Sequence, residues 1–332
     1  MPPISKIASA LLVLVTATAC TPDAATPGPV VTTAAATAQP VDSGDPLVDK
    51  AGVDSLLTRL SAANNKANAA LDTGALPGFE AEAALEMDGA SLKSRPKGDP
   101  IRAFTYNAVG SRIPGVLSGA DFFVVEARTS LGGALYPLVM VRRGKAFALA
   151  HYVGLNAALP EIRQDPSGNA LVVDDLDRDG TLIASPKDVV AAHARQIANK
   201  PDADPMFALD TTTSEVVNAE AIQGGMRFVS GASTVPAEWV TYSSTVSKYP
   251  IRALRTADGG AVVAYSTITE VLGTNPGKKV SVPAALRPLG TNTGSDNQTQ
   301  TWQTMWWALV PAKGSGLPVG ILGGTTVLTA VG

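Results

Sequence analysis

Apolar residues between residues 45 and 74 recur at the three- and four-residue spacing of an amphipathic helix. Asp45-Pro46 offers an N-cap followed by a proline at the first helical position. Asp72-Thr73-Gly74 supplies a stop signal. The opposite face is polar and carries Arg59, Asn64, Asn65, Lys66 and Asn68. A shorter helix is predicted over residues 78–87.

The period of the apolar positions changes to two after residue 120, which indicates β-strands. We predict strands over residues 122–128, 134–141 and 145–153. The same plan then repeats, because Ser185-Pro186 again combines a cap with a proline at the start of a helix. Six further strands are predicted in the second half, over residues 226–229, 239–244, 249–255, 261–272, 300–310 and 319–330.

Two hairpin sequences resemble each other, RTSLGGA at residues 128–134 and RTADGGA at residues 255–261. Their equivalent places in the two halves favour a tandem duplication, although shared turn chemistry alone is the alternative. The predicted fold class is α+β, with two tandem units over residues 45–184 and 185–332, each a helix packed on a curved antiparallel sheet. This order resembles the cone-shaped fold of nuclear transport factor 2 and ketosteroid isomerase.

The N-terminus has the layout of a secretory signal peptide. Lys6 precedes a short apolar run over residues 7–15, and small residues follow up to Ala19, so residues 1–19 are the predicted leader. Cleavage by ordinary signal peptidase is one route. The stretch also resembles a bacterial lipobox, with Ala17 where leucine is usual, and this resemblance implies that Cys20 carries a lipid. Because Cys20 is the only cysteine, a disulfide is excluded.

Residues 20–44 are rich in Thr, Ala and Pro, and we predict that they form a disordered tether. Five features of the chain together resemble a family of actinobacterial lipoproteins. They are the lipobox, the tether, the helix sequence RLSAANNKANAALD, the segment DLDRDGTLIASP and the C-terminal LVPAKGSGLPVGILGGTTVLTAVG. That family has an uncharacterised extracytoplasmic domain. The resemblance implies anchoring at the extracytoplasmic face of the cell membrane through Cys20, and it implies no activity.

Composition narrows the possible partners. The formal net charge is −3 with no basic block, so we expect no nucleic-acid partner. Only two histidines occur, His151 and His193, which leaves little room for histidine-based metal sites or triads. We expect no cofactor, and an unknown protein or a small apolar ligand as partner.

The loop Asp175-Leu-Asp-Arg-Asp-Gly180 matches the start of an EF-hand calcium loop at Asp175, Asp177 and Asp179. Pro186 stands where the bidentate glutamate of such a loop belongs. An Asp-Gly turn that leads into the following helix is therefore favoured over a metal site.

Three tryptophans are the best candidates for a ligand-binding surface. Strand periodicity places Trp302 and Trp306 on one face and Trp307 on the other. Core packing is the alternative, and it is favoured because aromatic residues dominate cores as well as interfaces.

We therefore expect a non-enzymatic, lipid-anchored envelope protein that binds a ligand or a partner. An enzyme that transfers protons through a buried carboxylate in a cone-fold pocket is the second hypothesis, with Glu126 and Glu270 as the side chains to inspect. A purely structural tethered module is the third.

Overall fold

The computed structural model describes residues 42–99, 101–198, 205–208, 240–274, 276–277, 282, 284–290 and 296–332. Within these ranges the chain forms three α-helices: α1 (Lys50–Ala70), α2 (Glu82–Ser94) and α3 (Pro186–Ala198). The first sheet contains β1 (Tyr106–Arg112), β2 (Phe122–Thr129), β3 (Leu135–Arg143) and β4 (Ala146–Tyr152). The second sheet contains β5 (Val172–Val173), β6 (Val240–Val246), β7 (Arg252–Arg255), β8 (Ala261–Thr274), β9 (Asn297–Val310) and β10 (Gly320–Val331).

Both sheets are antiparallel, which confirms the α+β fold class. The first sheet is a meander in the order β1-β2-β3-β4. The second has the order β10-β9-β8-β7-β5, and β6 pairs with the distal half of β8. The two similar hairpins join β2 to β3 and β7 to β8, and in each the arginine donates to a glycine carbonyl of its own turn. The strand predicted over residues 226–229 lies outside the described residues.

The sheets pack face to face over an inter-sheet core. Val124 and Val139 enter this core from the first sheet, and Leu254, Met305 and Trp307 enter it from the second. A single apolar core therefore joins the two halves of the chain.

Each sheet also buries its other face under helices. The outer face of the first sheet, with Phe123 and Leu138, packs against α1 and α2. The outer face of the second, with Tyr265 and Trp306, packs against α3. A strand that is buried on both faces has no solvent side, which explains why β2 begins with the unbroken apolar run Phe122 to Val125.

Helix α1 begins later than the sequence predicts. Asp49, and not Asp45, is the N-cap, and its carboxylate accepts a hydrogen bond from the Gly52 amide at 2.7 Å. Pro46 forms a β-bridge with Gly115 instead. None of the helices in the described ranges is both long and apolar enough to cross a membrane.

Two residues of the polar face of α1 are buried, since Asn64 and Asn68 are both 7% exposed. They continue the stripe of Val53, Leu57 and Leu60 because four-residue steps keep side chains on one helix face. The start of α3 agrees with the prediction, since the Asp188 amide donates to the Ser185 hydroxyl at 3.1 Å.

Polar side chains also join the layers. The Nε2 atom of His151, on β4, lies 3.2 Å from the Tyr265 carbonyl oxygen and 3.1 Å from that of Trp306. Both neighbours are acceptors, so Nε2 carries the proton and donates across the inter-sheet core. Arg252, on β7, makes a bidentate ion pair with Glu82 of α2 at 2.7 and 2.8 Å.

Replacing Arg252 by alanine should destabilise the protein by about 2 kcal/mol or more, because a largely buried carboxylate would lose its partner. Arg252 is 6% exposed, whereas Lys248, which pairs with Glu86 of the same helix, has a side chain that is 71% exposed. Lys248→Ala is the matched control and should cost at most about 1 kcal/mol. Urea unfolding monitored by circular dichroism measures both values, and equal losses would contradict the assignment.

Candidate functional site

A pocket of about 380 Å³ opens between α1 and the first sheet. We call it the helix–sheet pocket. Its walls combine amide, carboxyl, hydroxyl and aromatic side chains with a few aliphatic ones. The lining residues are Asn64, Asn68, Asp88, Ser91, Leu92, Ile101, Phe104, Tyr106, Thr129, Leu131, Gly132, Tyr136 and Tyr152.

Helix α1 fixes one wall of the pocket. The Asn65 side chain clamps the backbone of Phe104, donating to its carbonyl at 2.7 Å and accepting from its amide at 3.0 Å. The Ser61 hydroxyl accepts from the Tyr106 amide at 3.0 Å. These bonds hold Phe104 and Tyr106 against the helix, with their rings edge to face at 5.1 Å between centroids.

One carboxyl group, that of Asp88, lines the pocket, and that of Glu80 is a buried neighbour of Asp88. Glu80 is completely buried, and its backbone is held in place because the Phe79 carbonyl and the Ala81 amide pair with Leu149 of β4. Asp88 lies on the face of α2 that also carries Ala84 and Leu92, four residues to either side. We refer to Glu80 and Asp88 as the carboxyl pair.

The carboxyl pair holds a proton at neutral pH. Burial, and next the neighbouring Asp88 carboxylate, raise the pKa of Glu80 from 4.5 to about 10. Neither Glu80 oxygen has a hydrogen-bond partner in the described part of the chain. A buried carboxylate without a partner would be costly, which agrees with a neutral, protonated Glu80 beside Asp88.

Asp88 receives a hydrogen bond from the Tyr152 hydroxyl. Burial raises the pKa of Asp88, while the hydrogen bond from Tyr152 opposes that shift. Burial, with the nearby Asp88 carboxylate, also raises the pKa of Tyr152 and Tyr106. Both phenols therefore stay protonated at neutral pH, and Tyr152 is the donor to Asp88.

The structure separates the three candidate tryptophans. Trp306 is fully buried under α3 and its indole donates to Thr267 at 2.9 Å, whereas Trp307 lies in the inter-sheet core. Trp302 is half-buried beside Val240 and Val271. The predicted alternation of faces is confirmed, and the surroundings of Trp306 and Trp307 are those of packed cores.

The aspartate loop forms a hydrogen-bonded turn. Asp177 accepts from the Thr181 hydroxyl at 3.0 Å and from the Leu182 amide at 2.8 Å, and it lies 3.8 Å from Arg255. Asp175 and Asp179 flank this turn. Throughout the described ranges, no cluster of three or more His, Cys, Asp or Glu side chains could hold a metal ion.

The two carboxylates chosen from sequence lie apart from the helix–sheet pocket. Glu126 is buried, pairs with Arg112 at 3.0 Å and accepts from the Leu159 amide, whereas Glu270 is exposed. Burial lowers the pKa of His151 and of His193 to about 3, so both rings are neutral. Cys20 lies outside the described residues.

Sequence reasoning missed the residues that meet in the pocket. One signal was present, because Asn64 and Asn68 interrupt an apolar stripe at core-facing positions. Asp88 was missed because the predicted helix ended at Met87, whereas α2 continues to Ser94.

Residues 45–332 match the family model described as Domain of unknown function (DUF8094). No curated protein and no solved structure matches the chain.

Glu80→Gln should stabilise the protein between pH 7 and 8.5. The folded state binds the Glu80 proton more tightly than the unfolded state does, so the contribution of this group is complete below pH 4.5 and is lost as pH rises toward 10. Wild-type stability should therefore fall with pH, by up to about 1.4 kcal/mol per unit for one proton. The glutamine does not titrate and should therefore remove this slope.

Urea titrations at half-unit steps of pH measure the slope. The exposed Glu270→Gln is the control and should keep the wild-type slope. A wild-type stability that does not change between pH 7 and 8.5 would show that Glu80 is ionised in the folded protein.

Proposed function

We propose a function for this chain, which belongs to the DUF8094 family, from the chemistry of the helix–sheet pocket and the layout of the N-terminus. The protein is a lipid-anchored lipoprotein of the extracytoplasmic membrane face, and its domain binds a small ligand without transforming it. The observation that carries the binding role is a pocket of about 380 Å³ lined by polar side chains that have no side-chain hydrogen-bond partner among the described residues.

Those side chains are Asn64 and Asn68. Each is more than nine-tenths buried, and neither amide makes a side-chain hydrogen bond to another described residue. Their amide atoms are not among the fully buried ones and so reach the pocket, where a ligand with matching groups can replace water as their hydrogen-bond partner. The pocket volume lies within the range of small-molecule sites, and its mixture of aromatic walls and a few polar groups is typical of them.

Anchoring is supported by the sequence around Cys20. The domain itself is held from its first described residues, since Ser43 donates to Asp165 through its amide at 2.9 Å and through its hydroxyl. The Asn169 amide donates to the Gly44 carbonyl at 2.7 Å. The domain therefore holds the chain firmly from Ser43 onward.

A second candidate is an enzyme that transfers protons. The carboxyl pair favours it, because two adjacent carboxyl groups of different proton affinity can serve as base and acid. Asp88 would accept a proton from a substrate, and Glu80 or Tyr152 would donate one. Turnover that is lost in Asp88→Asn, with ligand binding retained, would replace the binding role by this one.

Cys20→Ser should release the protein from the membrane. Without the thiol no lipid can be attached, and a leader cleaved after Ala19 would yield a secreted chain. Phase partitioning of expressing cells in Triton X-114 should place the wild-type protein in the detergent phase and the variant in the aqueous phase or the medium. The same distribution for both proteins would exclude the lipid anchor.

Native mass spectrometry of the Cys20→Ser protein from its own cells should detect a bound small molecule. Asn64→Leu, nearly equal in volume but unable to hydrogen-bond, should lose at least about nine-tenths of that adduct, a cost of about 1.4 kcal/mol. Asn107→Leu, at an exposed position of β1, is the control and should keep it. If the Cys20→Ser protein with an otherwise native sequence carries no bound molecule, the structural-module hypothesis is favoured.

A further inference from the structure

The helix–sheet pocket contains an anion without a counter-ion. Asp88 lines the pocket, and no Lys, Arg or His is among the described lining residues. Asp88 also makes no salt bridge in the described ranges. Its hydrogen bond comes from a neutral donor, the Tyr152 hydroxyl. The neighbouring Glu80 brings no positive charge either, so the Asp88 carboxyl lines the pocket with no cation beside it.

Aromatic rings surround that charge. Phe104, Tyr106, Tyr136 and Tyr152 all contribute to the walls, from the segment before β1 and from β1, β3 and β4. The face of an aromatic ring is electron-rich and attracts cations, most strongly where water is excluded. The rings therefore favour a positively charged ligand, as the Asp88 carboxylate does.

Asn64 and Asn68 add hydrogen-bond acceptors at the same place. An amide oxygen accepts from an ammonium group, and both side chains line the pocket without a side-chain hydrogen-bond partner among the described residues. Carboxylate, amide oxygens and ring faces all complement a positively charged N–H group with an apolar body. An anionic ligand would meet the Asp88 charge with no cation to offset it.

We propose that the helix–sheet pocket binds an organic cation, an ammonium compound with an aromatic or apolar body, through Asp88, the two asparagine amides and the tyrosine rings. This proposal rests on the proposed binding function and names its ligand class. The ammonium group pairs with Asp88, and the apolar body lies against Phe104 and Tyr136. The Tyr152 hydroxyl holds Asp88 in position, so that one carboxylate faces one ligand charge.

Two probes of nearly equal shape test the charge preference. Benzylamine is protonated at pH 7, whereas benzyl alcohol is neutral, so any difference in affinity reports the charge. Isothermal titration of the full chain carrying Cys20→Ser should give a dissociation constant at least about ten-fold lower for benzylamine. Asp88→Asn should remove the difference between the two probes.

Asp54→Asn is the matched control, because Asp54 is an exposed residue of α1 whose replacement removes the same charge outside the pocket. It should leave the ten-fold ratio unchanged. Tyr136→Leu is the second pocket variant, and it should weaken benzylamine binding by about three-fold or more while affecting benzyl alcohol less. Circular dichroism melting confirms that each variant is folded.

The outcomes separate the two proposals. If benzyl alcohol binds as tightly as benzylamine, the cation preference is wrong and the pocket remains a ligand site. If Asp88→Asn keeps the ten-fold ratio, the cation is recognised by another group and the assignment to Asp88 is wrong. If neither probe binds, both the cation inference and the proposed binding function are overturned.

Discussion

The structure depends on the burial of both faces of both sheets. One face of each sheet enters the inter-sheet core and the other is covered by helices, so polar side chains on the central strands have little access to water. Each must then find a partner inside the protein or remain neutral. Glu126 has a partner inside the protein, Arg112, whereas the two histidines remain uncharged. The carboxyl pair retains a proton for the same reason.

This constraint makes the polar interior informative about function. Arg252 and His151 join layers and have partners that explain them. In contrast, Asn64, Asn68 and Asp88 gather around an opening and leave hydrogen-bonding capacity or charge unused. Satisfied polar groups stabilise the fold, whereas unsatisfied groups that share one pocket are the physical basis of the binding role proposed for it.

The sequence predicted elements whose signals are local. The cap at Ser185, the alternation of the tryptophans on β9 and the two similar hairpins all agree with the structure, because each depends on neighbours in the chain. The pocket could not be predicted in the same way. Glu80, Asp88 and Tyr152 come from a loop, a helix and a strand, and only tertiary packing brings them together. Their perturbed pKa values arise from burial, which no short motif encodes.

The hydrogen bond from His151 makes it possible to measure how often the two sheets separate. Its Nε2 proton points at carbonyl oxygens of Tyr265 and Trp306, which belong to the opposite sheet. That proton exchanges with water only when the sheets part, so its exchange rate measures how often they do. Since the chain has two histidines, ring nitrogen spectra contain few signals to distinguish. Motion between the layers can thus be followed at one natural atom, without a label that would disturb the packing.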